Sequence, residues 1–328
     1  MKTVITLFIL IISTPLFGQN NTQSNYLVNY GQVWGFLKYF HPETNKQDWD
    51  SVLLNDYSRI HKCASDQEFN RIISNLLDHC GNFKPEKREI NDSLKFSESF
   101  AWLDSCPIDS TNRSATKTLI SFKPKFKSKY ITQSGAGNPK ITNEIDYGNY
   151  TYSPSIQYLA ITRYWNIINY FCPNRNLIPN NWSKVYKTYL SDFISADNYE
   201  DYYFSIRELT SEIRDGHGFI RTENDPLNNY KYAPFYCLSF SDGYFINTVF
   251  QDSLQSIDLK RMDRIISVNG IPVEKKIKQI GAYLCTSNDY YLSKSTHYLR
   301  ITKQDSITLT FERDGELVTK TYSTIDRE

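Results

Sequence analysis

Apolar residues recur through the first two thirds of the chain at spacings of three and four, the period of a helix with one buried face. Tyr30, Val33, Trp34 and Leu37 make the first such run, which Pro42 ends. Trp49, Val52, Leu53 and Ile60 mark a second helix, and Phe69, Ile72, Ile73, Leu76 and Leu77 a third. The succession then returns. Ile161, Trp165 and Ile168 stop at Pro173, Trp182, Val185, Tyr186, Tyr189 and Phe193 follow, and Tyr203, Ile206, Leu209 and Ile213 run to a break at Gly216. From about Tyr232 the period falls to two. Residues 235–240, 244–250, 264–268 and 306–312 read as strands, punctuated by Asp242-Gly243, Asn269-Gly270 and Asp314-Gly315 turns, with a helix from Glu274. The fold class this predicts is α+β, a helical N-terminal region followed by a small β-rich domain.

The two helical stretches are also alike in letters. Trp34, Tyr39, Phe40 and Pro42 fall in register with Trp165, Tyr170, Phe171 and Pro173, and Asp48-Trp49 with Asn181-Trp182. Leu77-Asp78-His79-Cys80-Gly81 resembles Arg214-Asp215-Gly216-His217-Gly218. Two copies are too few for a solenoid, so the expectation is a twice-occurring helical unit, at 25–83 and 151–222. Residues 84–150 between them carry Pro85, Pro107, Pro124 and a polar stretch at 134–150, and read as connection. Thr118-Leu119-Ile120-Ser121-Phe122 reads as a short strand within it. The aromatic stripes fit core packing at helical spacing, with a groove for a peptide as the competing role.

With 40% hydrophobic and 22% charged residues the chain has enough apolar side chain for a sizeable core, and its net charge of +1 implies no nucleic-acid partner. Met1-Lys2-Thr3, an apolar run over 4–12 and the exit Ser13-Thr14-Pro15-Leu16-Phe17-Gly18 read as a secretory signal peptide at 1–18, cleaved near Gly18. The competing reading is a short buried helix. No stretch has the roughly 20 apolar residues of a membrane span, so a secreted or periplasmic protein is expected. Six scattered cysteines with no Cys-x-x-Cys spacing leave two readings open, buried thiols or three bridges.

Residues 259–273, Leu259-Lys260-Arg261-Met262-Asp263-Arg264-Ile265-Ile266-Ser267-Val268-Asn269-Gly270-Ile271-Pro272-Val273, resemble the PDZ-domain signature in which a Gly-Asp pair precedes a strand, an Asn-Gly turn and a helix opened by Val; Met262 stands where Gly is usual. Together with the segment 165–173, Gly137-Asn138-Pro139, Asn143-Glu144 and Asp215-Gly216-His217, the chain resembles the C-terminal processing, or tail-specific, serine peptidase family in its tricorn-like form over most of 25–328. The resemblance implies export, a PDZ-like domain at 232–325, and an α/β catalytic domain that supplies a nucleophilic Ser. That last part has no counterpart in these residues. It also implies that His217 occupies a general-base position, although Gly216 stands where the family has Ser.

Acyl transfer needs an activated nucleophile and an oxyanion hole besides a base, so these residues alone are not expected to hydrolyse peptides. The competing reading of His217 is a solvated residue beside ordinary helix-end capping chemistry. His79 reads as its echo and His41 as a helix stop, while His61 and His297 lack partners at metal-ligand spacing, so no metal or cofactor is expected. Ser134-Gly135-Ala136-Gly137 is similar to a nucleophile turn but lacks the flanking strand and helix. Tyr244, Phe245 and Ile246 form the strand at which, by the resemblance, a peptide or unfolded segment would add to the sheet. Three functions stand open: a peptide-binding, catalytically incomplete relative of these peptidases; a serine peptidase whose catalytic domain lies on a separate chain or on a segment truncated off from this one; and a helical interaction module unrelated to peptides.

Overall fold

Several of the longer helices start on a side chain that accepts from a free amide of their first turn. In the computed structural model, which describes residues 17–81, 100–121, 128–135, 139–148, 153–250 and 257–326, α1 (Phe17–Phe40) leads to α2 (Trp49–His61) and α3 (Asp66–Cys80). Asp48 accepts from the amide of Ser51 to start α2, and Ser65 from that of Glu68 to start α3. Two short elements follow, α4 (Trp102–Ser105) and α5 (Ser110–Ser121), then the hairpin β1 (Ile131–Gln133) and β2 (Pro139–Ile141). The second run is α6 (Pro154–Phe171), α7 (Trp182–Ser195) and α8 (Tyr199–Ser211). Asn181 caps α7 through Lys184 as Asp48 caps α2, and in both copies the Trp after the cap is fully buried.

The described residues form two compact units. One comprises those up to 148 with 155–175 and 186–191; the other comprises 153–154, 176–185 and 192–326. The first is a helical packing built on rings. Trp34 Nε1 donates to the carbonyl of Trp49 at 3.0 Å, and Trp49 Nε1 to the carbonyl of Trp34 at 3.1 Å, so each indole is hydrogen-bonded across the α1–α2 contact it fills. Against α6 the close approach falls on glycines. A Cβ at Gly35 would lie 2.1 Å from the Asn166 side chain, which donates to the carbonyl of Gly31 at 3.0 Å. Trp165 stacks on Tyr186, and Phe40 meets the rings of Tyr170 and Phe171. The aromatic stripes are core.

One expected strand is a helix. Thr118 to Ser121 belong to α5, and Phe122 lies outside the described residues. The helix is started by Asp109, whose carboxylate accepts from the amide of Asn112. A run of five residues, β-branched or not, cannot separate strand from helix by periodicity. The expected signal peptide falls, except for residues 17 and 18, outside the described residues, as do 84–99 and Gly137-Asn138.

The second unit contains β3 (Lys231–Tyr232), β4 (Phe235–Phe240), β5 (Gly243–Val249), β6 (Arg264–Val268), β7 (Ile271–Pro272), α9 (Val273–Gly281), α10 (Asp289–Ser293), β8 (Ile301–Thr302), β9 (Ser306–Arg313) and β10 (Glu316–Ser323). The main sheet is antiparallel in the order β10-β9-β6-β5-β4, with β7 paired to β6, and a separate pair joins β3 to β8. Inward-facing Phe235, Cys237, Ile246, Ile265, Leu309 and Phe311 close its core with Val273 and Ile277 of α9. Two of the three hairpin turns use left-handed backbone at two successive residues, Asn269 and Gly270 (φ 50° and 74°) and Asp314 and Gly315 (φ 50° and 84°). That geometry is what Asn-Gly and Asp-Gly supply. The chain is α+β as its periodicities predict.

Candidate functional site

Helical spacing places Tyr203, Arg207 and Thr210 on one face of α8, and in the second unit that face forms one wall of a cleft of about 1110 Å³. Gly218 and Phe219 line it from the loop after α8, Tyr232 and Tyr236 from β3 and β4, Phe250 from the end of β5, and residues 283–286 and 295–301 from the opposite wall. Sites for small ligands span roughly 300–1,000 Å³, so this one has room for more than a few atoms. Burial holds the Tyr203, Tyr283 and Cys285 side chains above their usual pKa, which leaves neutral hydroxyl and thiol groups and no activated thiolate.

Two arginines differ sharply in their company. Arg207 is fully engaged, its Nε donating to the carbonyl of Tyr283 at 3.0 Å and its Nη1 to the Tyr203 hydroxyl at 3.1 Å. Arg300 is only 7% exposed, and its Nε has no hydrogen-bond partner. Its guanidinium carbon lies 4.4 Å from the ring centre of Tyr236 and 5.1 Å from those of Tyr232 and Phe250. Among the described residues no carboxylate pairs with it. Ring attraction is worth roughly 0.5–2 kcal/mol, whereas stripping a cation of water costs several kcal/mol, so the cage alone leaves the charge uncompensated. The backbone holds it in place: Ala233 donates to the Arg300 carbonyl at 2.7 Å, and Thr296, at the start of the same helical turn, donates from Oγ1 to the Cys237 carbonyl at 2.6 Å. Burial, and then the charge of Arg300, depress the pKa of the neighbouring His297, which stays neutral.

His217 stands apart from the cleft lining. Its side chain is 99% exposed, and Nδ1 lies 3.2 Å from the Asp215 carboxylate. The loop that carries it is pinned on 285–287: Gly216 donates its amide to Ser287 Oγ at 3.0 Å, and a Cβ at Gly216 would sit 2.8 Å from that oxygen. A Ser at position 216, as in the resembled family, therefore needs Ser287 to turn away. The Asp215–His217 pair has the arrangement of an oriented base, and it faces solvent rather than a nucleophile.

Tyr244, Phe245 and Ile246 do not form an edge. Tyr244 pairs with Ser239 on one side and Ile265 on the other, Phe245 with Leu238 and Arg264, and Ile246 lies opposite Cys237 while exchanging bonds with Met262 and Asp263. Their main-chain groups are spent, so no peptide adds there by strand pairing, and this corrects the sequence reading of that strand. The neighbouring β4 is the outer strand, and residues 294–296 cover it: Lys294 Nζ donates to the Ser239 carbonyl at 2.5 Å beside the Thr296 bond. Covering an outer strand in this way removes it as a template for pairing. At the far side β10 ends the sheet.

The remaining histidines have structural surroundings. His41 caps the 3-10 turn Pro42–Lys46, its Nδ1 accepting from Glu43; His61 stacks on Tyr57, and His79 lies against Trp49. The six cysteines form no disulfide. No group of three or more His, Cys, Asp or Glu side chains among the described residues is placed to hold a metal, and no described helix is long and apolar enough to cross a membrane.

The first unit contains a buried ionic cluster that sequence reasoning missed. Lys38 Nζ lies 2.7 Å from Asp50 and 2.6 Å from Glu144, Arg163 bonds both carboxylates, and the Tyr39 hydroxyl donates to Glu144. Two cations face two anions, so the charges cancel, and burial still depresses the Lys38 pKa. A neutral, paired cluster of this kind holds elements together and has no group left for chemistry.

No protein-family model matches the chain, and no curated protein matches it. Among solved structures it is similar to mature CPAF, a chlamydial serine protease, complexed with lactacystin, at 12% identity and a TM-score of 0.39 over 46% of this chain and 30% of that one. Mature CPAF on its own gives 12% identity and a TM-score of 0.37 over the same shares, and a CPAF mutant gives 15% and 0.33. The chain spans less than a third of the length of those proteins. The likeness to a serine protease is distant, and superpositions of that quality do not define a shared fold.

Proposed function

We propose that the second unit is a PDZ-like, peptide-binding module of a secreted relative of the tail-specific peptidases, and that its ligand lies in the cleft between α8 and residues 295–301 rather than along β5. The observation that carries this reading is the cleft: about 1110 Å³, walled by the rings of Tyr203, Tyr232, Tyr236 and Phe250 and by residues pinned through backbone bonds. Aromatic walls take apolar side chains, and the hydroxyl and amide groups between them take main-chain groups. The sequence from Asp263 to Gly270 supports the same family reading.

Cleavage is a separate matter. Among the described residues His217 has neither a nucleophile nor an oxyanion hole beside it, so the function proposed for these residues is binding without cleavage. The exposure of the Asp215–His217 pair favours one second reading, in which it serves a nucleophilic Ser supplied by a separate catalytic chain.

Fluorescence anisotropy of a labelled pool of unstructured hexapeptides, with and without Tyr236→Ala, tests the first reading. Saturable binding that weakens at least tenfold in Tyr236→Ala is expected, with the pool uncleaved after prolonged incubation. Absence of binding leaves an interaction module unrelated to peptides, and stoichiometric labelling of a Ser by a fluorophosphonate probe overturns the non-catalytic assignment.

A further inference from the structure

Arg300 is a charge in the cleft wall that no described carboxylate balances. It sits in the wall of the cleft, 7% exposed, with Nε unpaired and three rings around its guanidinium plane. Buried polar atoms in folded proteins are hydrogen-bonded, and Nε of this side chain has no partner among the described residues. Neither carboxylate in the cleft lining serves it: Asp225 accepts from the amide of Leu227 to cap residues 226–229, and Asp326 points to Lys231 at 3.9 Å. Arg207, the other arginine in the lining, is already satisfied by Tyr203 and Tyr283. The site is also rigid, because the carbonyl of Arg300 accepts from Ala233 and its helical turn is tied to β4 through Thr296.

We infer that Arg300 is an anion subsite that takes a carboxylate carried on an apolar or aromatic body. A guanidinium offers a planar fork that matches a carboxylate bidentately. The rings of Tyr232, Tyr236 and Phe250 fix the plane of that fork and continue as an apolar surface for the body of the ligand. A ligand that brings its own negative charge removes the desolvation cost that the folded chain now bears, which makes binding selective for the ionised acid over its neutral isostere. This goes beyond the peptide reading, which concerns the cleft as a whole. The carboxylate has two sources, a small organic acid or a peptide, and both present the same chemistry to Arg300.

The test uses the full chain and four probes: 4-phenylbutyrate, its amide 4-phenylbutyramide, inorganic phosphate, and the hexapeptide pool prepared as free acids and as C-terminal amides. Ligand-detected NMR and thermal shift read binding in the native protein, Arg300→Lys and Arg300→Met. Phenylbutyrate is expected to bind at least tenfold more tightly than its amide, to lose that preference in Arg300→Met, and to keep only part of it in Arg300→Lys, which retains the charge without the planar fork. Arg300→Met is expected to raise the Tm of the unliganded protein, because it deletes an unpaired buried charge; a lowered Tm would mark Arg300 as structural and overturn the inference. Free-acid peptides displacing phenylbutyrate would identify a peptide carboxylate as the source. Phenylbutyrate binding with no peptide binding keeps the subsite and removes the peptide reading, and peptides binding equally as acids and amides keep that reading and remove the subsite. Phosphate binding as tightly as phenylbutyrate, or no binding by any anion, also overturns it.

Discussion

Met262 adopts a left-handed backbone, φ 74°, at the position where the resembled signature has glycine, and its side chain is 58% exposed. A residue with a Cβ carries a steric penalty there that glycine lacks, and an exposed side chain offers little packing in return. Met262→Gly is therefore expected to stabilise the protein by about 1 kcal/mol, read as a higher urea midpoint at unchanged slope. The next residue is held the other way. Asp263 is buried, and both of its oxygens bond Arg313, at 2.8 and 2.5 Å, which ties the loop before β6 to the end of β9. Turn chemistry of this kind was legible in the sequence, because Asn269-Gly270 and Asp314-Gly315 advertise their conformation locally. Arg300 was not. Its meaning comes from Tyr232, Tyr236 and Phe250, which lie 50 to 68 positions away in the chain, and no local period marks such a meeting.

Helix placement followed from spacing because the buried faces are long and ring-rich, and α1, α2, α3, α6, α7 and α8 all stand where their apolar residues predict. The element read as the wrong type was α5, whose Thr-Leu-Ile run is too short to show a period and which starts on a cap at Asp109. The candidate groove at β5 was misplaced for a topological reason. Which strand ends a sheet is decided by strand order, and alternation in sequence is the same for an inner and an outer strand. Glycines in α1 also carry a message that propensity hides. In an open helix Gly→Ala gains roughly 1 kcal/mol, yet at Gly35 the new methyl would meet Asn166 at 2.1 Å. Gly35→Ala is expected to destabilise by roughly 1–3 kcal/mol through overpacking against α6, with thermal unfolding of the variant as the check. A gain in stability would show that the α1–α6 contact is looser than described.

The pH response of the molecule as a whole has an identifiable part in His41. Burial first of all depresses its pKa from 6.5 to about 4, the nearby Glu43 opposing the shift, and its Nδ1 accepts a bond from the Glu43 amide that only the neutral ring accepts. The unfolded chain takes up a proton at higher pH than the folded one. Stability is therefore fully present above about pH 6.5 and falls as the pH drops towards 4, losing roughly 1–3 kcal/mol across that window from this group once solvent screening is allowed for. Denaturant unfolding between pH 4 and 7 checks it against His41→Asn, which keeps an acceptor near Nδ1 and cannot titrate. A flatter profile in the variant is the expected result.

On the reading proposed above, an extended ligand occupies the cleft of the second unit. Hydrogen–deuterium exchange of the full chain with and without a saturating hexapeptide pool tests it most directly, because protection reports where the ligand sits. Slowed exchange is expected in residues 232–236 and 296–301 and in the last two turns of α8, with β10 and the first unit unchanged. Protection confined to the β10 edge, or an exchange pattern untouched by any member of the pool, would contradict it.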